Sequence, residues 1–261
     1  MRDMIESGFG SDYGTAASVI ESGGPKETTQ EIQELTLEEL LNYENPNKEM
    51  YRGVIQKVER IIEKEQAPHD EYFRTQYVFE AHELFLRVPP HERYREASNF
   101  LKEKLKGDIL VELGSQGDMH LDSEKIGVNV YVAVDRYIDP SVPAYPNKSL
   151  IDETRGPTRF LLVQADMLDF VSRLPDNSVN IVINGIDQAI MPDKEYHEIL
   201  GRELSRVAKP GGVVFGVHAL PLEHLDQETM ENKSFSNLPS GFDGIRIFEK
   251  VKPPSSGKVT S

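Results

Sequence analysis

Asp108-Ile-Leu-Val-Glu-Leu-Gly-Ser-Gln-Gly117 joins a short apolar run to a glycine-bearing loop. Ile109 to Val111 reads as a buried strand, Glu112 sits near its end, and Gly114 and Gly117 punctuate the loop. Such a loop, leaving the end of a parallel strand, lets the backbone approach a nucleotide-like ligand closely. A second apolar run, Tyr131 to Val134, ends in Asp135. Gly117 and Asp135 are 18 residues apart. That is close to the spacing that sets a strand-terminal carboxylate on a ribose hydroxyl. Loop and acid together are far more specific than the loop alone.

Beyond Asp108, β-rich runs at 109–113, 130–134, 160–164, 179–183 and 212–217 alternate with helical or turn-rich segments. The alternation predicts an α/β fold, a doubly wound and mostly parallel sheet with helices on both faces. Tyr196, Ile199, Leu200, Leu204 and Val207 recur at helical spacing, and Lys209-Pro-Gly-Gly212 ends that helix. Ile245–Val251 reads as a last strand. The connection from Arg136 to Thr158 holds Pro140, Pro143, Pro146 and Pro157 and is long, hence either functional or elaborated. Arg155 and Arg159 at its end read either as a clamp for an anionic substrate or as solvated loop charges.

Upstream the texture is helical. Thr36-Leu-Glu-Glu39 has capping-box spacing. Apolar stripes follow within 47–66, 72–85 and 94–105, the last ending at Gly107. The expected organisation is an acidic, disordered tail (1–35), a helical module (36–106), an α/β domain (107–251) and a polar tail (252–261). The alternative for the first tail is a segment that orders over a substrate.

The 261 residues include no cysteine. Disulfides, thiolate metal sites, iron–sulfur clusters and cysteine nucleophiles are therefore excluded. His69, His82 and His91 lack metal-ligand spacing, and no metal site is expected. The net charge of −15 disfavours a general grip on nucleic acid. Residues 1–49 carry 11 acids and 3 bases, so a basic patch elsewhere stays open. Residues 1–30 lack a basic start followed by an apolar run, and no stretch approaches the length of a membrane span. The cytoplasm is the expected compartment.

Five phrases in order resemble the class I S-adenosylmethionine-dependent methyltransferases, over about residues 108–220. Val111-Glu-Leu-Gly-Ser-Gln-Gly117 is similar to the family's first motif and Val132-Ala-Val-Asp135 to its second. Val163-Gln-Ala-Asp166-Met167 is similar to the third. Leu174-Pro-Asp-Asn-Ser-Val-Asn-Ile-Val-Ile-Asn184 looks like the fourth strand with its proline turn. Glu203-Leu-Ser-Arg-Val-Ala-Lys-Pro-Gly-Gly-Val-Val-Phe215 looks like the entry to the fifth and is the most specific phrase. The resemblance implies S-adenosylmethionine as cofactor. It also implies cofactor contacts at Glu112, Gly114, Ser115, Gly117, Asp135, Arg136, Asp166, Met167 and Asn184. Asp135 would bind both ribose hydroxyls, Asp166 would face the adenine amino group, and Met167 would pack beside the ring. Aspartate is also a favoured helix cap, and at Asp166 the two roles are compatible.

The sequence departs from the family in places. Ser115 and Gln116 stand where the loop is usually glycine, Asp118 to Val128 is poor in apolar residues, and a second closing strand is not evident. A trimmed sheet edge is the expectation. Asn184-Gly-Ile-Asp187 lacks the prolines and the aromatic of the amino-methylating relatives. Asp187 and His218 are the candidate catalytic bases, each with a bland alternative as a turn or strand-end residue. The function expected is methyl transfer to an oxygen or nitrogen nucleophile of a small molecule or protein, with the helical module covering the cofactor. A nicotinamide-dependent oxidoreductase and a non-catalytic binding or scaffold protein on the same fold are the other readings.

Overall fold

The computed structural model describes residues 48–65, 94–115, 126–136, 138, 148–184, 193–217, 219–235 and 245–251. Within them the helices are α1 (Lys48–Glu65), α2 (Arg95–Leu105), α3 (Met167–Ser172) and α4 (Lys194–Val207). The strands are β1 (Ile109–Leu113), β2 (Val130–Asp135), β3 (Lys148–Arg155), β4 (Thr158–Gln164), β5 (Asn180–Asn184), β6 (Val213–Val217), β7 (Met230–Asn232) and β8 (Ile245–Lys250). They form one sheet in the order β3-β4-β2-β1-β5-β6-β8-β7. The run β4-β2-β1-β5-β6 is parallel throughout.

Alternation along the strands splits the core in two. Val111, Leu113, Val132, Val134, Ile181 and Ile183 face one way. Leu110, Tyr131, Ala133, Phe160, Val182 and Phe215 face the other. Helix α1 joins the first face through Tyr51, Ile55 and Val58, and α2 joins the second through Ala97, Leu101 and Leu105. The two helices therefore cover opposite faces of the sheet. Burying each large apolar side chain stabilises the fold by about 1.5–3 kcal/mol. Both helices hold the sheet together, whatever else the 36–106 segment does. Leu101 is fully buried, and Leu101→Ala should destabilise by about 2–5 kcal/mol in chemical denaturation.

Helix α1 runs antiparallel to α4. The Tyr51 hydroxyl donates to Glu203 at 2.9 Å, near the end of α4, and Lys57 pairs at 2.5 Å with Asp193, the α4 N-cap. Burial and the bond to Glu203 push the Tyr51 phenol up to about 12, so it stays a donor. Burial alone would raise the Asp193 pKa, but the Lys57 ammonium and the Tyr196 amide outweigh it and hold the carboxyl below its ordinary value. The bond to Asp193 raises Lys57. The tether is thus complete across neutral pH. It weakens as pH falls through the lowered Asp193 value, and again as pH rises through the raised Lys57 value. Exchange protection factors for α1 amides should be lower at about pH 3 than at neutrality. Equal protection would show that this pair does not dock α1.

The Lys209-Pro-Gly-Gly212 turn locks the opposite end of the sheet. Gly211 has φ 74°, and the Gly212 amide donates to the Lys209 carbonyl at 2.8 Å. Asn180 Oδ1 accepts from the Val213 amide at 2.9 Å, while Asn180 Nδ2 and the Lys209 ammonium both reach Asp108. Those bonds tie together the starts of β1, β5 and β6. An added Cβ on Gly212 would meet Asn180 Oδ1 at 2.6 Å. This explains the glycine in the most specific phrase of the sequence.

Two expectations are corrected. The Arg136–Thr158 connection contains a strand: β3 pairs antiparallel with β4 through a two-residue turn at Gly156-Pro157, with Gly156 at φ 58°. The sheet edge is not trimmed, because Met230–Asn232 pairs antiparallel with β8.

Candidate functional site

The chain steps outward from β1 to β2 and β4, then returns to the other side of β1 as β5. The reversal between β1 and β5 is a topological switch point, and open α/β sheets bind ligands at the carboxyl ends of strands there. Gly114 leaves β1 and Asn184 ends β5 at this point. Gly114 has φ 82°, and a Cβ on it would lie 2.6 Å from the Asn184 carbonyl oxygen and 3.3 Å from Met167 Cε. Only glycine fits between these neighbours in this backbone conformation.

The loop differs from the expected cradle in one respect. The amides of Gly114 and Ser115 both donate to the Val134 carbonyl, at 3.0 and 3.2 Å. These two N–H groups pin the loop to β2, and the Ser115 side chain is fully buried. Gly117 lies outside the described residues.

Glu112, Tyr131 and Asn184 form one network beneath the crevice. Glu112 is 0% exposed. Its carboxylate accepts a bond from the Tyr131 hydroxyl and a 2.7 Å bond from Asn184 Nδ2. All three project from the same face of neighbouring strands, which are in register at Glu112↔Ala133 and Glu112↔Val182. Holding Asn184 by its Nδ2 fixes which way the carboxamide points. Its Oδ1 is buried and has no hydrogen-bond partner among the described residues. A buried acceptor left in this state is unfavourable by about 1–3 kcal/mol until a donor reaches it.

Asp135 ends β2, one strand from Gly114, and is 8% exposed. Its carbonyl accepts from the Ala165 amide at 3.0 Å, which sets Asp166 beside it. Asp166 is the N-cap of α3: Oδ1 accepts from the amides of Leu168 at 3.0 Å and Asp169 at 3.1 Å. The Tyr196 hydroxyl donates to the same carboxylate at 3.1 Å, and Arg136 Nη2 lies 3.2 Å from Oδ2. Burial, and then the Asp166 charge, push the Tyr196 phenol well above its ordinary value, so it remains a donor. Arg136 also reaches Glu59 of α1 at 3.4 Å. Met167 is half-buried against the core, its methyl toward Gly114.

Glu112, Gly114, Ser115, Asp135, Arg136, Asp166, Met167 and Asn184 thus gather at the carboxyl ends of β1, β2, β4 and β5. Asp187 and His218 lie outside the described residues. Arg155 and Arg159 belong to the β3–β4 hairpin near the amino-terminal end of β4. Arg159 makes two bonds to Asp152, at 2.9 and 2.7 Å, and Arg155 lies 3.9 Å from the centre of the Phe160 ring. That position is at the other end of the sheet from the switch point. Tyr131, Tyr196 and Glu59 were not foreseen as site residues. Each sits in an apolar or helical stripe whose spacing reports burial and says nothing of a hydroxyl or carboxylate at its edge.

No protein-family model matches the chain, and no curated protein matches it. Solved structures similar to it include a candidate methyltransferase from Escherichia coli, at 7% identity and TM-score 0.41, over 62% of this chain and 87% of that one. A candidate S-adenosyl-L-methionine-dependent methyltransferase from Methanococcus maripaludis is similar at 15% identity and TM-score 0.36, over 62% and 85%. A candidate RNA methyltransferase from Pyrococcus horikoshii is similar at 14% identity and TM-score 0.36, over 72% and 91%. At these values the likeness decides neither a reaction nor a substrate; the strand order above establishes an α/β fold with a mixed, mostly parallel sheet.

Proposed function

We propose that this protein transfers a methyl group from S-adenosylmethionine to an oxygen or nitrogen nucleophile. The observation that carries the reading is the switch-point crevice, where Gly114 approaches Asn184 without a side chain and Asp135 ends the next strand. The residues fit an adenosyl amino-acid ligand at two places. Asp135 offers a carboxylate for a pair of ribose hydroxyls, a charge-assisted arrangement. Asn184 Oδ1 offers a buried acceptor suited to an ammonium group, and Glu112 keeps it turned that way. When bound, S-adenosylmethionine supplies an electrophilic methyl on a sulfonium. The protein's own task is then mainly positioning, with a base only where the nucleophile must lose a proton. Asp187 and His218 are the residues proposed for that proton.

A protein or small molecule is the acceptor class the net charge of −15 favours, because a polyanion is repelled at long range. No helix among the described residues is long and apolar enough to cross a membrane. The commitment of the Gly114 and Ser115 amides to Val134 favours a second reading, a binding protein on the same fold.

The test is incubation of the purified chain with methyl-labelled S-adenosylmethionine and separate protein, small-molecule and RNA pools. Label in one pool, absent from an Asp135→Ala control, supports transfer and names the acceptor class. Cofactor binding with no label in any pool favours the binding protein.

A further inference from the structure

Asp166 stands where its residue type invites a purine amino group, two residues beyond β4 and beside the strand that ends in Asp135. Its carboxylate already has other donors. The Leu168 and Asp169 amides and the Tyr196 hydroxyl donate to Oδ1, the same hydroxyl also lies 3.2 Å from Oδ2, and the Arg136 guanidinium pairs with Oδ2 at 3.2 Å. The side chain is only 3% exposed. Tyr196 cannot be turned away at little cost, because its hydroxyl also accepts from the Leu168 amide at 3.2 Å and the ring is fully buried. Displacing Arg136 would break a buried ion pair and its link to Glu59 in α1. An incoming amino group would therefore exchange one good bond for another. Net discrimination by hydrogen bonding arises only where the site is otherwise left with an unpaired group.

We infer that Asp166 is a structural hub joining α3, α4 and Arg136, and that the crevice does not select for the purine 6-amino group. This rests on the reading that the crevice holds an adenosyl cofactor. The purine is recognised by fit against apolar surface such as Met167, and a 6-oxo purine is accepted about as well as adenine. Arg136 is the residue that closes Oδ2 to the ligand.

The test is isothermal titration of the full chain with S-adenosylhomocysteine and with S-inosylhomocysteine, its 6-oxo analogue. Affinities within about tenfold of each other are expected, a factor just below what one hydrogen bond to a charged carboxylate contributes. A preference of more than about tenfold for the 6-amino compound would overturn the inference and leave the cofactor reading standing. Failure of both to bind would overturn the cofactor reading and the inference with it. In Arg136→Ala, with Oδ2 uncovered, the preference for the 6-amino compound should rise above that of the parent chain. An unchanged ratio would show that Arg136 does not close the carboxylate.

Discussion

Asp135→Ala should weaken S-adenosylhomocysteine binding by at least about 100-fold. The size follows from the chemistry at the end of β2. A carboxylate paired with two ribose hydroxyls makes two charge-assisted hydrogen bonds, each contributing about 1.5–3 kcal/mol. Losing both removes at least two decades of affinity. The backbone bond from Ala165 to the Asp135 carbonyl survives the substitution. Asp135→Asn should fall between, since an amide keeps one acceptor oxygen but no charge. Titration calorimetry of the three proteins checks this. Equal affinity in the alanine variant would remove Asp135 from the cofactor site.

Gly114→Ala is expected to damage both stability and binding. The residue is at φ 82°, and an added methyl would meet the Asn184 carbonyl oxygen at 2.6 Å. A non-glycine residue in the left-handed region is destabilised by about 1–2 kcal/mol, and the clash is with backbone, which cannot rotate aside. A combined loss of roughly 2–4 kcal/mol corresponds to a melting temperature lower by about 5–15 °C. Relief of the clash would push β1's loop away from β5 and open the switch point, so cofactor affinity should fall as well. A melting temperature within one or two degrees of the parent would mean that the loop has slack the geometry does not show.

Much of the sheet was legible because buried parallel strands leave short continuous apolar runs. Ile109–Val111, Tyr131–Val134 and Ile181–Ile183 are such runs, buried except at the half-buried Ile109, and read directly from composition. Strand β3 was not legible for the opposite reason. It lies at the sheet edge, and of Lys148–Arg155 only Leu150 and Ile151 are apolar, so alternation has nothing to show. Its one signal was the turn Gly156-Pro157 ahead of an apolar run, since a two-residue hairpin favours glycine at its first central position. Strand β7 has three residues, two of them exposed, and pairing with β8 alone defines it.

The site divides along similar lines. Its positions along the chain were readable, because strand ends and glycines mark where a crevice must open. What each polar group does there was not. Glu112 read as a strand-end acid; burial turns it inward to Tyr131 and Asn184. Asp166 read as cap or cofactor contact, and the cap is observed. Partners 30 or 72 residues away, as in Tyr196–Asp166 and Asn184–Glu112, leave no mark in local spacing.

Titration of the full chain with S-adenosylhomocysteine and, separately, with NAD bears most directly on the proposed adenosyl cofactor. Micromolar binding of S-adenosylhomocysteine with no heat from NAD is the expected result. Binding of NAD in its place, or no binding of S-adenosylhomocysteine, would contradict it.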